Sequence, residues 1–163
     1  MIADLEICID AADALVKCTD VARLELCSAL SVGGLTPSVG LMRLAAKSAV
    51  ASRAMIRPRP GDFTYSQTEI SQMLIDINMA HDCGLEGVVL GAIQQDTTLD
   101  VVILQSLSKR APSLKKTLRR AIDLVLDPFR AIDIAVDLGF DCILTSAGSP
   151  RAIDGITRLR QMV

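Results

Sequence analysis

Two short segments of this sequence could do chemistry together. Leu5-Glu6-Ile7-Cys8 and Leu24-Glu25-Leu26-Cys27 are near copies, each placing an acid two residues before a thiol. Side chains alternate across an extended strand, so Glu6, Cys8 and Asp10 share one face of the first, and Arg23, Glu25 and Cys27 one face of the second. On neighbouring parallel strands the two thiols would approach one another toward the C-terminal ends. Two thiolates at that spacing suit a soft ion such as Cu(I), or zinc. The competing reading is equally physical. Cysteine often serves as a small buried hydrophobe, and no tight metal motif is present. Glu6 and Glu25 are also candidates for acid or base catalysis. Cys18, Cys83 and Cys142 read as helix-end or core fillers.

A second group is Arg57-Pro58-Arg59-Pro60-Gly61-Asp62-Phe63. Two guanidiniums at a strand's C-terminal end, Arg57 and Arg59, could bind a carboxylate or phosphate. The two prolines stiffen the loop, and Gly61 permits a positive φ. Alternatively, Arg57 only neutralises Glu25 or Glu6, which cannot be buried unpaired. Gly33-Gly34-Leu35-Thr36-Pro37-Ser38 leads to a helix start, which is an anion site in some folds; a capped tight turn accounts for it as well. His81 is the only histidine. It falls at the end of a helix, where a partial positive charge is favoured. With His81 assigned there and no second histidine in the chain, a serine-protease-like triad has no base and a histidine-rich zinc site has no ligands.

These residues need elements to position them, and the chain supplies an alternation. Strand-like runs at Leu5–Ile9, Arg23–Cys27, Arg53–Arg57, Gly87–Gly91, Leu114–Arg120 and Asp141–Ser146 are each followed by a helix-like stretch. The helices read as Ala11–Cys18, a stretch ending near Ala49, Gln67–Cys83, Leu99–Lys109, Pro128–Leu138 and one from Ser149-Pro150 to the C-terminus. Ser66 with Glu69 makes a capping box, and Asp127 before Pro128 makes a cap. Six βα units in series imply a parallel sheet covered by helices. An open doubly wound sheet should be apolar on both faces. Here one face carries acids, thiols and Arg57. A TIM-like β/α barrel accounts for this better, because its inner face and its C-terminal mouth hold the polar site.

Composition sets the outer limits. The 163 residues are 50% hydrophobic but only 2% aromatic, with net charge −2. Disorder is excluded, base-stacking nucleic-acid modules lack their aromatic platforms, and no basic field exists for phosphate backbones. An odd number of cysteines, five, without CxxC favours reduced thiols in the cytoplasm. The N-terminus shows no leader features, and the longest uncharged stretch, Leu26 to Met42, is broken by Gly33-Gly34 and Thr36-Pro37 short of a membrane span.

In order along almost the whole chain, Leu5-Glu6-Ile7-Cys8, Arg23-Leu24-Glu25-Leu26-Cys27-Ser28, Gly33-Gly34-Leu35-Thr36-Pro37-Ser38 and Met55-Ile56-Arg57-Pro58-Arg59-Pro60-Gly61-Asp62-Phe63 resemble the CutC copper homeostasis proteins. So do Arg120-Ala121-Ile122-Asp123 with Pro128, and Leu138-Gly139-Phe140 with Ile143-Leu144-Thr145-Ser146. The resemblance implies a TIM-like barrel, a cytoplasmic location and a part in copper tolerance or trafficking. It implies Cys8 and Cys27 as Cu(I) ligands and puts Glu6, Glu25, Arg57 and Asp62 at the polar mouth. Those four are the catalytic candidates if the barrel is instead an enzyme acting on a small anionic substrate. Two departures stand out. Arg119 occupies the position of a family histidine, which adds a fixed charge and a third candidate anion ligand beside Arg57 and Arg59. The chain also holds about six of the usual eight βα units, as a single partial barrel domain over 1–163. The expectation is either a truncated, inactive copy or completion by another chain, such as a homo-oligomer partner.

Overall fold

The computed structural model describes residues 5–163; the first four, with which the leader reading begins, lie outside the described residues. Six parallel strands pair in chain order: β1 (Glu6–Ile9), β2 (Arg23–Leu26), β3 (Ser52–Met55), β4 (Gly87–Leu90), β5 (Lys115–Leu118) and β6 (Cys142–Ile143). The helices are α1 (Val39–Ala45), α2 (Gln67–Asp82), α3 (Val101–Arg110), α4 (Pro128–Asp137) and α5 (Ile156–Met162). This is a partial TIM-like barrel. Its curl brings distant strands together: Arg23 Nη2 on β2 lies 3.8 Å from Cys142 Sγ on β6. Among the described residues β1 and β6 are the two edges of the sheet.

Strand alternation sorts the side chains. Leu24, Leu26, Ala54, Ile56, Val88, Leu90 and Leu118 join a large core with Met73 and Ile77 of α2, Leu104 and Leu107 of α3, and Ala131 and Ala135 of α4. A fully buried Leu or Ile contributes roughly 1.5–3 kcal/mol, so this outer layer holds the fold together. Cys27, Met55 and Val89 form a separate small cluster on the inner face.

The sequence signals for helix ends hold. Ser66 Oγ accepts from Glu69 N while Glu69 accepts from Ser66 N, a complete capping box. Asp127 accepts from Arg130 N, with Pro128 at the first helical position. Gly139 ends α4 at φ +74. The Gly33-Gly34 segment is a turn, with φ +87 and +83, and Ser38 caps the short α1.

Several expected elements come out shorter, including the last helix, where a 3-10 turn at Ala152–Gly155 precedes Ile156–Met162. Ala11–Cys18 is only a 3-10 turn at Ala12–Ala14 followed by further turns, because its start has no capping side chain and none of Ala12–Ala14 is buried. β6 stops after two residues, because the chain then bends through Ala147 at φ +56 to wrap Asp123. Most strands also end slightly earlier than their sequence patterns suggest. The residues just past them still hang on the ladder: Cys27 N donates to Ile9 O at 2.8 Å, Ile56 N to Val89 O at 3.0 Å, and Arg119 N to Leu90 O at 2.8 Å. Side chains at the mouth therefore stand on anchored backbone.

Candidate functional site

The inner face has two ends, and they differ in how their charges are matched. At the N-terminal end, Arg23 donates to both Glu6 oxygens, at 3.0 and 2.6 Å. Buried Arg53 donates to Glu86 at 3.0 Å and to Thr117 Oγ1 at 2.7 Å. Strand register dictates this. Glu6 pairs with Arg23 across β1–β2, two residues below Cys8, so about 6–7 Å from the thiol layer. Glu6 is thus not at the mouth, and Arg57 neutralises neither Glu6 nor Glu25. The strand offset separates them.

At the C-terminal end, Cys8 and Cys27 converge on one carboxylate oxygen. Cys8 Sγ lies 3.5 Å and Cys27 Sγ 3.6 Å from Glu25 Oε1. Glu25 and Cys27 are buried, whereas Cys8 is exposed on the edge strand. Burial pushes the Glu25 carboxyl above its ordinary range, against the pull of the Arg119 charge. The bond with Cys8, burial and the Glu25 charge push the Cys27 thiol far up. Among the described residues no group of three or more His, Cys, Asp or Glu could hold a metal ion.

Beside the thiols lie two buried guanidiniums. Arg57 Nη1 donates to the carbonyls of Val32 and Gly34 at 3.1 and 3.3 Å, and Nη2 to Gly61 O at 2.6 Å. Arg119 Nη2 donates to Gly33 O at 2.7 Å. Both cations stand over the Phe63 ring, at 4.9 and 5.1 Å from its centroid. Burial first, then the Arg57 charge, pulls Arg119 below its usual range. Arg57 Nε, Arg119 Nε and Nη1, and Tyr65 Oη are buried with no hydrogen-bond partner. Burial pushes the Tyr65 hydroxyl up to about 12.

Arg59 and Asp62 do not join this group. Arg59 donates to Glu69 Oε1, Asp62 Oδ1 and Thr64 O and stacks over Tyr65 at 5.7 Å. Arg59 ties the Pro58–Ser66 loop to the start of α2, and Asp62, exposed, is held down in pKa by Arg59 and Thr64. Their chemistry is spent inside the loop. His81 is exposed near the end of α2 and bonds Asp82. All five cysteines are free thiols.

Sequence reasoning missed the roles of Phe63, Tyr65 and Gly91. A Cβ on Gly91 would fall 2.8 Å from Arg119 Cγ, so this glycine makes room for the Arg119 stem. A signal for the first two existed. The chain has only three Phe and one Tyr, and two of these four aromatics stand in the one loop that carries Arg57 and Arg59.

The comparison with known families decides the affiliation. The CutC family model matches residues 3–163. The chain belongs to the CutC family. A CutC family protein of Rhizobium meliloti is 48% identical over 97% of this chain and 66% of its own length. One from Photobacterium profundum is 45% identical over all of this chain and 68% of its own. The chain thus spans about two thirds of the length of these CutC relatives. A solved structure of a candidate copper homeostasis protein CutC from Streptococcus agalactiae superposes with TM-score 0.92 at 29% identity, covering 98% of this chain and 81% of that one. An aldolase named QR15 shares the fold at TM-score 0.67 and 13% identity, which extends the likeness beyond CutC to other barrels in architecture alone.

Proposed function

We propose that this chain takes part in copper homeostasis by holding Cu(I), as cargo, between Cys8 and Cys27. The observation that carries the reading is the convergence of both thiols on Glu25 Oε1, from two strands whose register fixes the approach. Soft thiolates select a soft monovalent ion. A structural zinc ion would ask for four ligands, and the described residues offer no such group. Exposed Cys8 receives the ion and buried Cys27 retains it. Five free thiols suit a reducing compartment, and we place the protein in the cytoplasm on that ground. No helix of the described residues is long and apolar enough to cross a membrane.

The test is a Cu(I) competition titration against a chromogenic chelator under reducing, anaerobic conditions. The intact protein should withdraw one equivalent of Cu(I), and the Cys8→Ser/Cys27→Ser double variant should withdraw none. Undiminished Cu(I) uptake by the folded double variant would remove the site from this account.

A further inference from the structure

We propose that Arg57 and Arg119, with Tyr65, form a binding site for a compact dianion of the phosphate type, separate from the thiol pair. The starting observation is an imbalance of buried charge. Arg57 and Arg119 are each 5% exposed, yet neither forms an ion pair among the described residues. Buried charges are ordinarily paired, and two like charges side by side repel. Glu25 acts on Arg119 through its charge, but its carboxylate bonds the two thiols and forms no ion pair with either arginine.

The donors are also incomplete. Arg119 Nε and Nη1, Arg57 Nε and the Tyr65 hydroxyl are all buried without partners. Orphaned buried donors are rare in native proteins and each calls for a specific cause. Everywhere else on the inner face, arginine N–H groups find acceptors: Arg23 has Glu6, and Arg53 has Glu86 and Thr117. Here the satisfied N–H groups go to the carbonyls of Val32, Gly33, Gly34 and Gly61, which fix both forks against two turns. Those carbonyls orient the guanidiniums but supply no negative charge.

The space between the forks is held by the Phe63 ring, against both cations. An aromatic face compensates a cation only weakly compared with an anion. Phe63 belongs to the loop outside the strands, while both arginines stand at strand ends. A ligand reaching both forks would have to displace this ring. Two positive charges and four unshared donors match a tetrahedral dianion better than a monocarboxylate. Gly91 leaves room for the Arg119 stem, because a Cβ there would fall 2.8 Å from Arg119 Cγ.

The experiment is a binding titration by calorimetry and by thermal shift, with inorganic phosphate as the probe. Succinate and acetate are run in parallel, and ionic strength is matched with chloride. Phosphate should bind the intact protein and raise its melting temperature above the chloride control. Arg119→Met should weaken phosphate by at least about tenfold, and Arg119→Lys, which keeps the charge but loses the fork, should weaken it less. Arg130→Met, an exposed charge on α4, should leave phosphate binding intact, and so should Cys8→Ser/Cys27→Ser. Arg119→Met should in turn keep Cu(I) binding, so the two sites fail independently. Three results would overturn the proposal: no phosphate effect on the intact protein, an equal effect on Arg119→Met, or a preference for succinate or acetate.

Discussion

The two ends of the inner face bury the same residue type with opposite outcomes. Arg53 at the N-terminal end has an acid and a hydroxyl at hydrogen-bond distance. Arg119 at the C-terminal end has one carbonyl, an aromatic face and two donors with nothing to bond. All four buried unpartnered polar atoms found among the described residues sit at the C-terminal end. The difference separates groups that close the fold from groups kept for something else. In barrels of this kind the N-terminal end serves stability and the C-terminal end carries the site.

The sharpest way to break the comparison is at the satisfied end. Arg53→Met should cost about 2–3 kcal/mol, because it leaves buried Thr117 without its partner and removes the ion pair to the partly exposed Glu86. The loss should appear as a lower urea midpoint with unchanged slope. A variant as stable as the parent would mean that pairing at this end carries no weight.

The C-terminal end has one closed corner, and it offers the next largest effect. Asp123 accepts from Thr145 Oγ1, Ser146 N, Gly148 N and Arg120 Nε. Burial works to raise its pKa, but these bonds outweigh burial and hold the carboxyl below its ordinary 3.8. A depressed pKa gives stability that is fully present above pH 3.8 and is lost as pH falls through the folded value. Asp123→Asn should therefore cost about 2 kcal/mol at pH 7. The gap to the parent should stay constant down to about pH 4 and close below it, as followed by denaturation at several pH values. A gap independent of pH down to pH 2 would contradict this.

Ser66→Ala should cost about 1 kcal/mol through loss of the capping box. It frays the start of α2 next to the Phe63 loop without touching either arginine, so calorimetry with phosphate should still show binding. Smallest of all is Cys8→Ser, exposed on an edge strand, which should change stability by less than about 0.5 kcal/mol. A larger loss would make Cys8 a packing residue and weaken its assignment to Cu(I).

Much of this contrast is legible in the amino-acid sequence. The alternation of strands and helices implied a parallel sheet, and the polar inner face favoured a barrel over a doubly covered sheet. Ser66, Glu69, Asp127, Pro128 and Gly139 marked helix ends correctly, since caps depend on neighbours in sequence. The meeting of Cys8 and Cys27 near one another followed from alternation on two adjacent strands. Register was not legible. Pairing Glu6 with Arg23 and Glu25 with the thiols depends on a shift of two residues between near-identical motifs, which the motifs cannot reveal. Arg59 was indistinguishable from Arg57 by type. Only the path of the loop turns one guanidinium to Glu69 and the other into the interior. The short β6 and the Asp123 corner depend on long-range hydrogen bonds that no local pattern announces.

The claim that the C-terminal end is built to receive a ligand rests most directly on one number, the unfolding free energy of Arg119→Met in phosphate-free buffer, measured beside Arg53→Met. The account predicts that Arg119→Met is within about 1 kcal/mol of the parent or more stable, because it removes a buried charge without an ionic partner. A loss as large as that of Arg53→Met would contradict it, and would make both arginines parts of the same structural core.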